Sequence, residues 1–383
     1  MPTVSSESPK NIILVGPASP YRGGIAHFLR ATFNGLIRRG HQVEVVNFTR
    51  QYPALFFPGK TQYETGESKS IPSTRLLDSI NPLSWRRTAK YMIRKRPEVV
   101  VFMHWMPFFA PAYGFIARRL KAQGIRVICL VHNALPHERR PGDRAMSRYF
   151  FKACDGFVTM SSAVEKDLNS LGARGRKLVV GHPVYESFGD AVPQEEARSR
   201  LGLRTDVPVL LFFGFVRRYK GLKVLLDSMP AVVKNLPNVR LVVAGECYED
   251  EQQYKDFITQ NELAAHVILK FEYIPEKDIS DLFSSADVVV QPYISATQSG
   301  VAQIAYHFDR SLIVTDVGGL AEIVPHEQAG LVVPPEDPKA LATAIIRFFE
   351  EDMRPQLQAG VLEEKKKYSW DQLLEAIEQL VGP

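Results

Sequence analysis

The chain has 383 residues, 45% of them apolar and 23% charged, a globular composition that excludes a disordered or fibrous chain and suits two α/β domains better than one. The net charge of +5, from 47 basic and 42 acidic residues, says little about the whole surface and is compatible with anionic ligands such as phosphates. Cys129, Cys154 and Cys247 form no CxxC pair, which argues against a disulfide framework or a structural zinc and for a reducing compartment.

The first ten residues read as a flexible tail without the basic and apolar regions of a signal peptide. No apolar run reaches the ~18 residues of a membrane span, so a cytoplasmic protein is expected. Residues 11–15 (NIILV) form a short apolar run. Gly16, Pro17, Gly23 and Gly24 follow, then a helical pattern over 25–39 that Gly40 stops, then a strand at 43–48. Strand, glycine loop, helix and strand is the pattern of a parallel sheet covered by helices. Residues 49–80 break it as a long loop rich in Pro, Gly, Ser and Thr. Strands are expected again at 99–103, 125–131, 155–160 and 177–180, with helices over 110–122 and 161–171.

A first domain over 11–185, a linker over 186–206 and a second domain over 207–355 are expected. The second domain repeats the alternation, with strands at 208–213 (PVLLFF), 240–244, 267–270, 287–291 and 312–315 and a helix over 221–235. A last helix, within 356–383, is expected to return to the first domain. The fold class is therefore α/β, two doubly wound Rossmann-like domains facing a central cleft, with ligands beyond the carboxyl ends of the strands.

The residues at those strand ends carry the chemistry. Gly23 and Gly24 let a backbone approach a ligand, and the helix they open offers free N–H groups to phosphate. The run 215–221 (FVRRYKG) sets Arg217, Arg218 and Lys220 where a strand exits, fit to neutralise a departing diphosphate. His104 and His132 each follow a strand of the first domain, with Asn133, His137 and Glu138 in the loop after the second. Thr297, Gln298 and Ser299 offer hydroxyl and amide donors, or a helix N-cap. In 315–322 (TDVGGLAE), Gly318 and Gly319 permit backbone approach, and Glu322 is a ligand contact or a cap. No histidine–carboxylate spacing suggests a metal.

Residues 85–96 crowd Arg86, Arg87, Lys90, Arg94, Lys95 and Arg96 on one helix, with Trp85, Ala89, Met92 and Ile93 at helical spacing. Two readings stay open: a packed surface helix, or contact with anionic lipid headgroups at the inner face of a membrane. No helix-turn-helix, zinc-finger or RNA-recognition signature accompanies the charge, so no nucleic-acid partner is expected.

Taken together, the early Gly-Gly loop, His132-Asn133, Lys220-Gly221, TDVGGLAEIV and GLVVPPEDP resemble the retaining glycosyltransferases of family four, group 1, with the GT-B fold, over nearly the whole chain from Asn11. The resemblance implies transfer of a hexose-type sugar from a nucleoside diphosphate sugar, UDP or GDP in type, to a glycan, lipid-linked or small-molecule hydroxyl, without a metal or other cofactor. It implies catalytic roles for His132, Arg217 and Lys220. Donor contacts would come from Gly23, Gly24, Arg217, Arg218, Lys220, Thr297, Gln298, Ser299, Gly318, Gly319 and Glu322.

Two departures stand out. Phe215 occupies the position of the family's arginine. Thr297 and Ala305 occupy the two positions of its E-x7-E glutamates. A non-catalytic donor-binding subunit, or another GT-B enzyme such as an epimerase or phosphorylase, is the alternative.

Overall fold

The computed structural model describes residues 8–53, 61–63, 70–136, 140–185 and 188–382. The chain divides into two compact units. The first joins Met1–Gly181 to Trp370–Pro383, and the second is His182–Ser369.

In the first unit seven strands form one parallel sheet. They are β1 (Asn11–Val15), β2 (Gln42–Arg50), β3 (Thr74–Asp78), β4 (Val99–His104), β5 (Arg126–Val131), β6 (Gly156–Thr159) and β7 (Arg176–Val179), in the order β3-β2-β1-β4-β5-β6-β7. The central runs NIILV, VVVFMH and RVICLV are almost unbroken apolar stretches because helices cover both faces of the sheet. Helices α1 (Gly24–Arg38), α2 (Pro82–Lys95), α3 (Ala110–Lys121), α4 (Asp143–Phe151) and α5 (Ser162–Ser170) make those layers. Local chemistry sets their starts. Asn81 accepts a hydrogen bond from the Leu83 N–H with Pro82 at the first helical position, and Ser161 caps α5 through the Val164 N–H.

The second unit has a six-stranded parallel sheet. Its strands are β8 (Val209–Phe213), β9 (Arg240–Ala244), β10 (Val267–Lys270), β11 (Val288–Gln291), β12 (Leu312–Thr315) and β13 (Gly330–Val333), in the order β10-β9-β8-β11-β12-β13. Between them run α7 (Leu222–Asn235), α8 (Glu251–Gln260), α9 (Glu276–Ser285), α10 (Gly300–His307), the short α11 (Leu320–Ile323) and α12 (Pro338–Glu350). Each sheet reverses direction of growth once, between β1 and β4 and between β8 and β11. Each unit has its own apolar core.

The structure departs from the sequence reading in four places. Within the expected loop 49–80, β2 runs on to Arg50 and β3 forms the sheet edge, with Arg50 and Asp78 paired across it. Residues 54–60 and 64–69 of that loop lie outside the described residues. The expected linker 186–206 contains helix α6 (Gln194–Arg200). It is anchored by Asp287, 5% exposed, whose carboxylate accepts from Arg198, Arg354 and the Val209 N–H. Strand β13 and helix α4 were not anticipated.

The expected final helix is two helices, α13 (Arg354–Glu364) and α14 (Trp370–Val381), and α14 alone belongs to the first unit. It lies against α1 at Gly35, where a Cβ would stand 2.6 Å from Leu374 Cδ1, and Trp370 packs on Phe28 at 5.0 Å. A polar clasp fixes its rotation. Arg39 donates to Asp371 (2.8 Å) and to the buried Glu378 (2.9 Å). His41 Nδ1 accepts from the Lys10 N–H, so its Nε2–H donates to Glu378 at 2.8 Å. Among the described residues no helix is long and apolar enough to cross a membrane.

Candidate active site

In open parallel sheets the crevice forms at the carboxyl ends of the two strands where the order reverses. In the second unit those strands are β8 and β11, and the loops leaving them are bound tightly together. The loop after β8 runs from Gly214 to Gly221 and closes with a turn of 3₁₀ helix at Arg218–Lys220. Gly221 sits at φ +70°, and a Cβ there would fall 1.8 Å from the Pro292 carbonyl oxygen. Gly318, in the loop after β12 at φ +55°, would meet the Ala296 carbonyl oxygen at the same distance. The loop 292–299 after β11 is thus gripped on both sides by backbone that only glycine allows. The Tyr219 carbonyl accepts from the Ile294 N–H at 2.7 Å, and Thr315 Oγ1 donates to the Tyr293 carbonyl at 2.6 Å.

Lys220 bridges the reversal. Its Nζ donates to the Tyr293 hydroxyl at 2.8 Å and lies 3.3 Å from where a Cβ on Gly214 would be. Val301, in the first turn of α10, stands 3.5 Å from the same point. Ser299 caps α10 by accepting from the Ala302 N–H, so its side chain serves the helix. The Gly300 and Val301 N–H groups of that turn have no intrahelical acceptor.

Arg217 lies over the Tyr248 ring with its guanidinium carbon 4.8 Å from the centroid, and Tyr248 stacks on Phe215 at 4.9 Å and 21°. Arg218 is exposed to solvent. Burial pushes the Lys220 ammonium below its ordinary value, and the nearby Arg217 adds to the effect. Among the described residues neither cation has a carboxylate partner. Two uncompensated cations beside a helix N-terminus make a site for an anion.

The other expected residues fall as follows. Thr297 and Gln298 lie in the gripped loop, half-buried, and Ala305 is fully buried in α10. Gly319 caps α11; Glu322 is exposed, and its carbonyl accepts from the Tyr368 hydroxyl at 3.4 Å. In the first unit, Gly23 caps α1 at φ +108° with nothing within 4 Å of its would-be Cβ, and Gly24 begins the helix. His132, at the end of β5, is 3% exposed and meets the Phe28 ring edge-on at 4.7 Å. His104 is fully buried against Phe150 and Phe151, and burial lowers its pKa from 6.5 to about 3. It is a neutral residue of the core. His137 and Glu138 lie outside the described residues. Sequence reasoning missed Tyr293 and Tyr248, the two side chains that hold the cations.

Helix α2 uses its apolar stripe internally. Trp85 Nε1 donates to the Asp78 carbonyl at 2.8 Å, and Ala89 and Met92 are buried. Arg86, Arg87, Lys90 and Arg94 face solvent without an ion-pair partner among the described residues. Helices α2 and α3 contain no acidic residue, and the one in α4, Asp143, is buried beneath the Arg140 N–H. Leu83, 66% exposed, stands beside this basic row. Among the described residues no group of His, Cys, Asp and Glu is placed to hold a metal.

Residues 22–184 match the model of the family described as Glycosyltransferase Family 4, and residues 207–351 match that described as Glycosyl transferases group 1. A similar protein is an uncharacterised glycosyltransferase of Methanocaldococcus jannaschii, 25% identical over 374 residues that cover 92% of either chain. Among solved structures, sucrose-phosphate synthase from Thermosynechococcus elongatus superposes with a TM-score of 0.76 at 19% identity, over 97% of this chain and 98% of that one. Anabaena HepE in complex with UDP-glucose does so with 0.76 at 16% identity, over 97% and 99%. These two likenesses establish the GT-B fold.

Proposed function

The chain belongs to the GT-B glycosyltransferases of group 1 and family 4, and for the sugar transfer of that family we propose a retaining reaction on a nucleoside diphosphate sugar, with the donor diphosphate held by Lys220 and Arg217. The observation that carries this reading is the pair of adjacent cations without a carboxylate, set at the strand-order reversal beside the first turn of α10. A diphosphate supplies the missing negative charge, and the Gly300 and Val301 N–H groups extend its cradle.

Retention through a covalent intermediate requires a carboxylate nucleophile, and Thr297 and Ala305 stand where the family pattern has glutamates. A same-face substitution fits better. The bond from the anomeric carbon to the diphosphate oxygen breaks, the acceptor oxygen bonds to the same face, and the leaving diphosphate takes the acceptor's proton. Lys220 and Arg217 stabilise the charge that grows on the diphosphate as the bond breaks, which lowers the barrier. Gly23, Gly24 and His132 are proposed to serve the donor and the transferred sugar from the first unit. Thr297, Gln298, Gly318, Gly319 and Glu322 are proposed to complete its binding in the second. Arg218, exposed, is assigned a weaker, long-range part. HepE, whose fold this chain shares, was solved with UDP-glucose, and a uridine or guanosine donor of hexose type is proposed here.

The acceptor proposed is a hydroxyl on a glycan or lipid-linked glycan. The exposed, acid-poor row of α2 with Leu83 beside it supports contact with anionic headgroups. Binding to vesicles containing phosphatidylglycerol, lost at high salt, tests that part; no binding removes it.

Ala305 favours one rival, a subunit that binds donor without turnover, because an apolar buried side chain cannot grip a ribose. A panel of nucleotide sugars, with and without acceptors, separates the two. One preferred donor with acceptor-dependent release of nucleoside diphosphate, and a product of unchanged anomeric configuration by NMR, supports transfer. Binding without release across the panel supports the rival.

A further inference from the structure

We infer that Tyr293 and Tyr248 are positioning residues that hold Lys220 and Arg217 on the donor diphosphate while leaving both charges unspent. This rests on the reading of the second unit as the donor-diphosphate site.

Lysine and arginine side chains are long, and an unrestrained one visits many rotamers. A carboxylate partner would fix such a chain but would also cancel the charge that the site needs. The structure uses neutral partners. The Tyr293 hydroxyl accepts one N–H of Lys220 at 2.8 Å and leaves two for a ligand. Tyr293 is itself buried and bonded. It is 2% exposed, its carbonyl is held by Thr315, and its hydroxyl also bonds with Ser299, the cap of α10. One tyrosine thus ties the lysine to the helix turn that faces the same anion.

Arg217 is supported from below. Its guanidinium lies over the ring of Tyr248, a contact that uses none of its N–H groups. Tyr248 stacks in turn on Phe215. Phe215 occupies the position where the family pattern has arginine. The aromatic there is the base of a stack that presents an arginine two residues later, so the charge is moved along the loop and kept. Arg217, over the ring, takes that role, and the exposed Arg218 does not.

The test is UDP and GDP binding by calorimetry on the whole chain, with melting temperature measured alongside. Lys220→Ala and Arg217→Ala are expected to weaken binding of the preferred diphosphate by about 30-fold each, the loss of one charge-assisted hydrogen bond. Tyr293→Phe removes one oxygen and is expected to weaken binding by about 10-fold, and Tyr248→Leu by about as much. Tyr248→Phe keeps the ring face and is expected to stay within twofold of the parent. The deciding measurement is a pair of double-mutant cycles. Tyr293→Phe on Lys220→Ala, and Tyr248→Leu on Arg217→Ala, are each expected to add less than twofold, because a clamp without its cation does nothing.

Full additivity in both cycles overturns the inference, since a general packing role adds to any other defect. So do single tyrosine variants that bind like the parent while Lys220→Ala and Arg217→Ala are weak; the donor-site reading then stands. If both alanine variants bind like the parent, that reading itself falls and takes the inference with it.

Discussion

Replacing Lys220 by methionine removes one charge, keeps most of the chain volume and separates function from stability. A unit charge ~4 Å from a phosphate oxygen, in surroundings of effective dielectric about 20, interacts by about 4 kcal/mol. Part of that is felt already by bound donor, and the part that grows as the diphosphate leaves lowers the barrier. Loss of a comparable preorganised donor elsewhere costs ~10²–10³ in kcat, and that range is expected here. The free protein behaves in the opposite way. Burial holds the Lys220 pKa below its unfolded value, so at neutral pH the ammonium destabilises the fold, and Lys220→Met is expected to melt no lower than the parent. The same depression sets a pH limit. Lys220 loses its proton below the ordinary lysine value of 10.5, so diphosphate binding in the parent should fall on the alkaline side before that pH, and the variant should lack this limb. Initial rates of nucleoside diphosphate release, calorimetry from pH 6 to 10 and a thermal melt provide the three readouts. A kcat within threefold of the parent refutes the charge-stabilisation argument.

Asp287→Ala leaves Arg198 buried without its carboxylate and should cost about 3–5 kcal/mol in urea unfolding; a loss below 1 kcal/mol would mean that α6 is held by packing alone. Gly35→Val drives two methyl groups into Leu374 and should cost ~1–3 kcal/mol. It should also let trypsin cut at Lys365–Lys367 faster as α14 loosens, and an unchanged digestion pattern would contradict the packing described. His104, neutral at a folded pKa of about 3, binds a proton more readily when the chain unfolds. Its stability contribution is complete above pH 6.5 and falls by about 1.4 kcal/mol per pH unit below it, down to the folded value. His104→Leu should flatten that slope, and an unchanged acid titration of stability would count against the assignment.

Much of this fold was legible because parallel strands buried on both faces read as plain apolar runs, as in NIILV and VICLV. Gly221, Gly318 and Lys220 were legible because a strand-to-helix turn has few places for such residues. Tyr293 and Tyr248 were not. The Lys220–Tyr293 bond joins positions 73 apart, and no local pattern announces which aromatic a folded sheet brings beside a lysine. Phe215 stands at the arginine position of the family pattern, and the neighbouring Arg217 and Arg218 were legible as substitutes for that charge, though not which of the two lies over a ring. The break before α14 did carry a signal, since Ser369 with Gln372 three residues on has the spacing of a capping box. The apolar periodicity that continues across it hid the break. In the opposite direction, His104 shows that a polar residue at a strand end is no guide when aromatic rings close over it.

The clasp of α14 on α1 gives the chain a problem of timing. Its helical seat, with Phe28, Gly35 and Arg39, is translated early, whereas residues 370–381 emerge only after the entire second unit. At ~5–20 residues per second that delay is on the order of 10–40 s. Throughout it the first unit has left the ribosome without one of its helices, and the apolar groove that Trp370 and Leu374 will cover is open to water and to chaperones. The second unit is thus an insertion in the first, and α14 completes a domain that was interrupted nearly two hundred residues earlier.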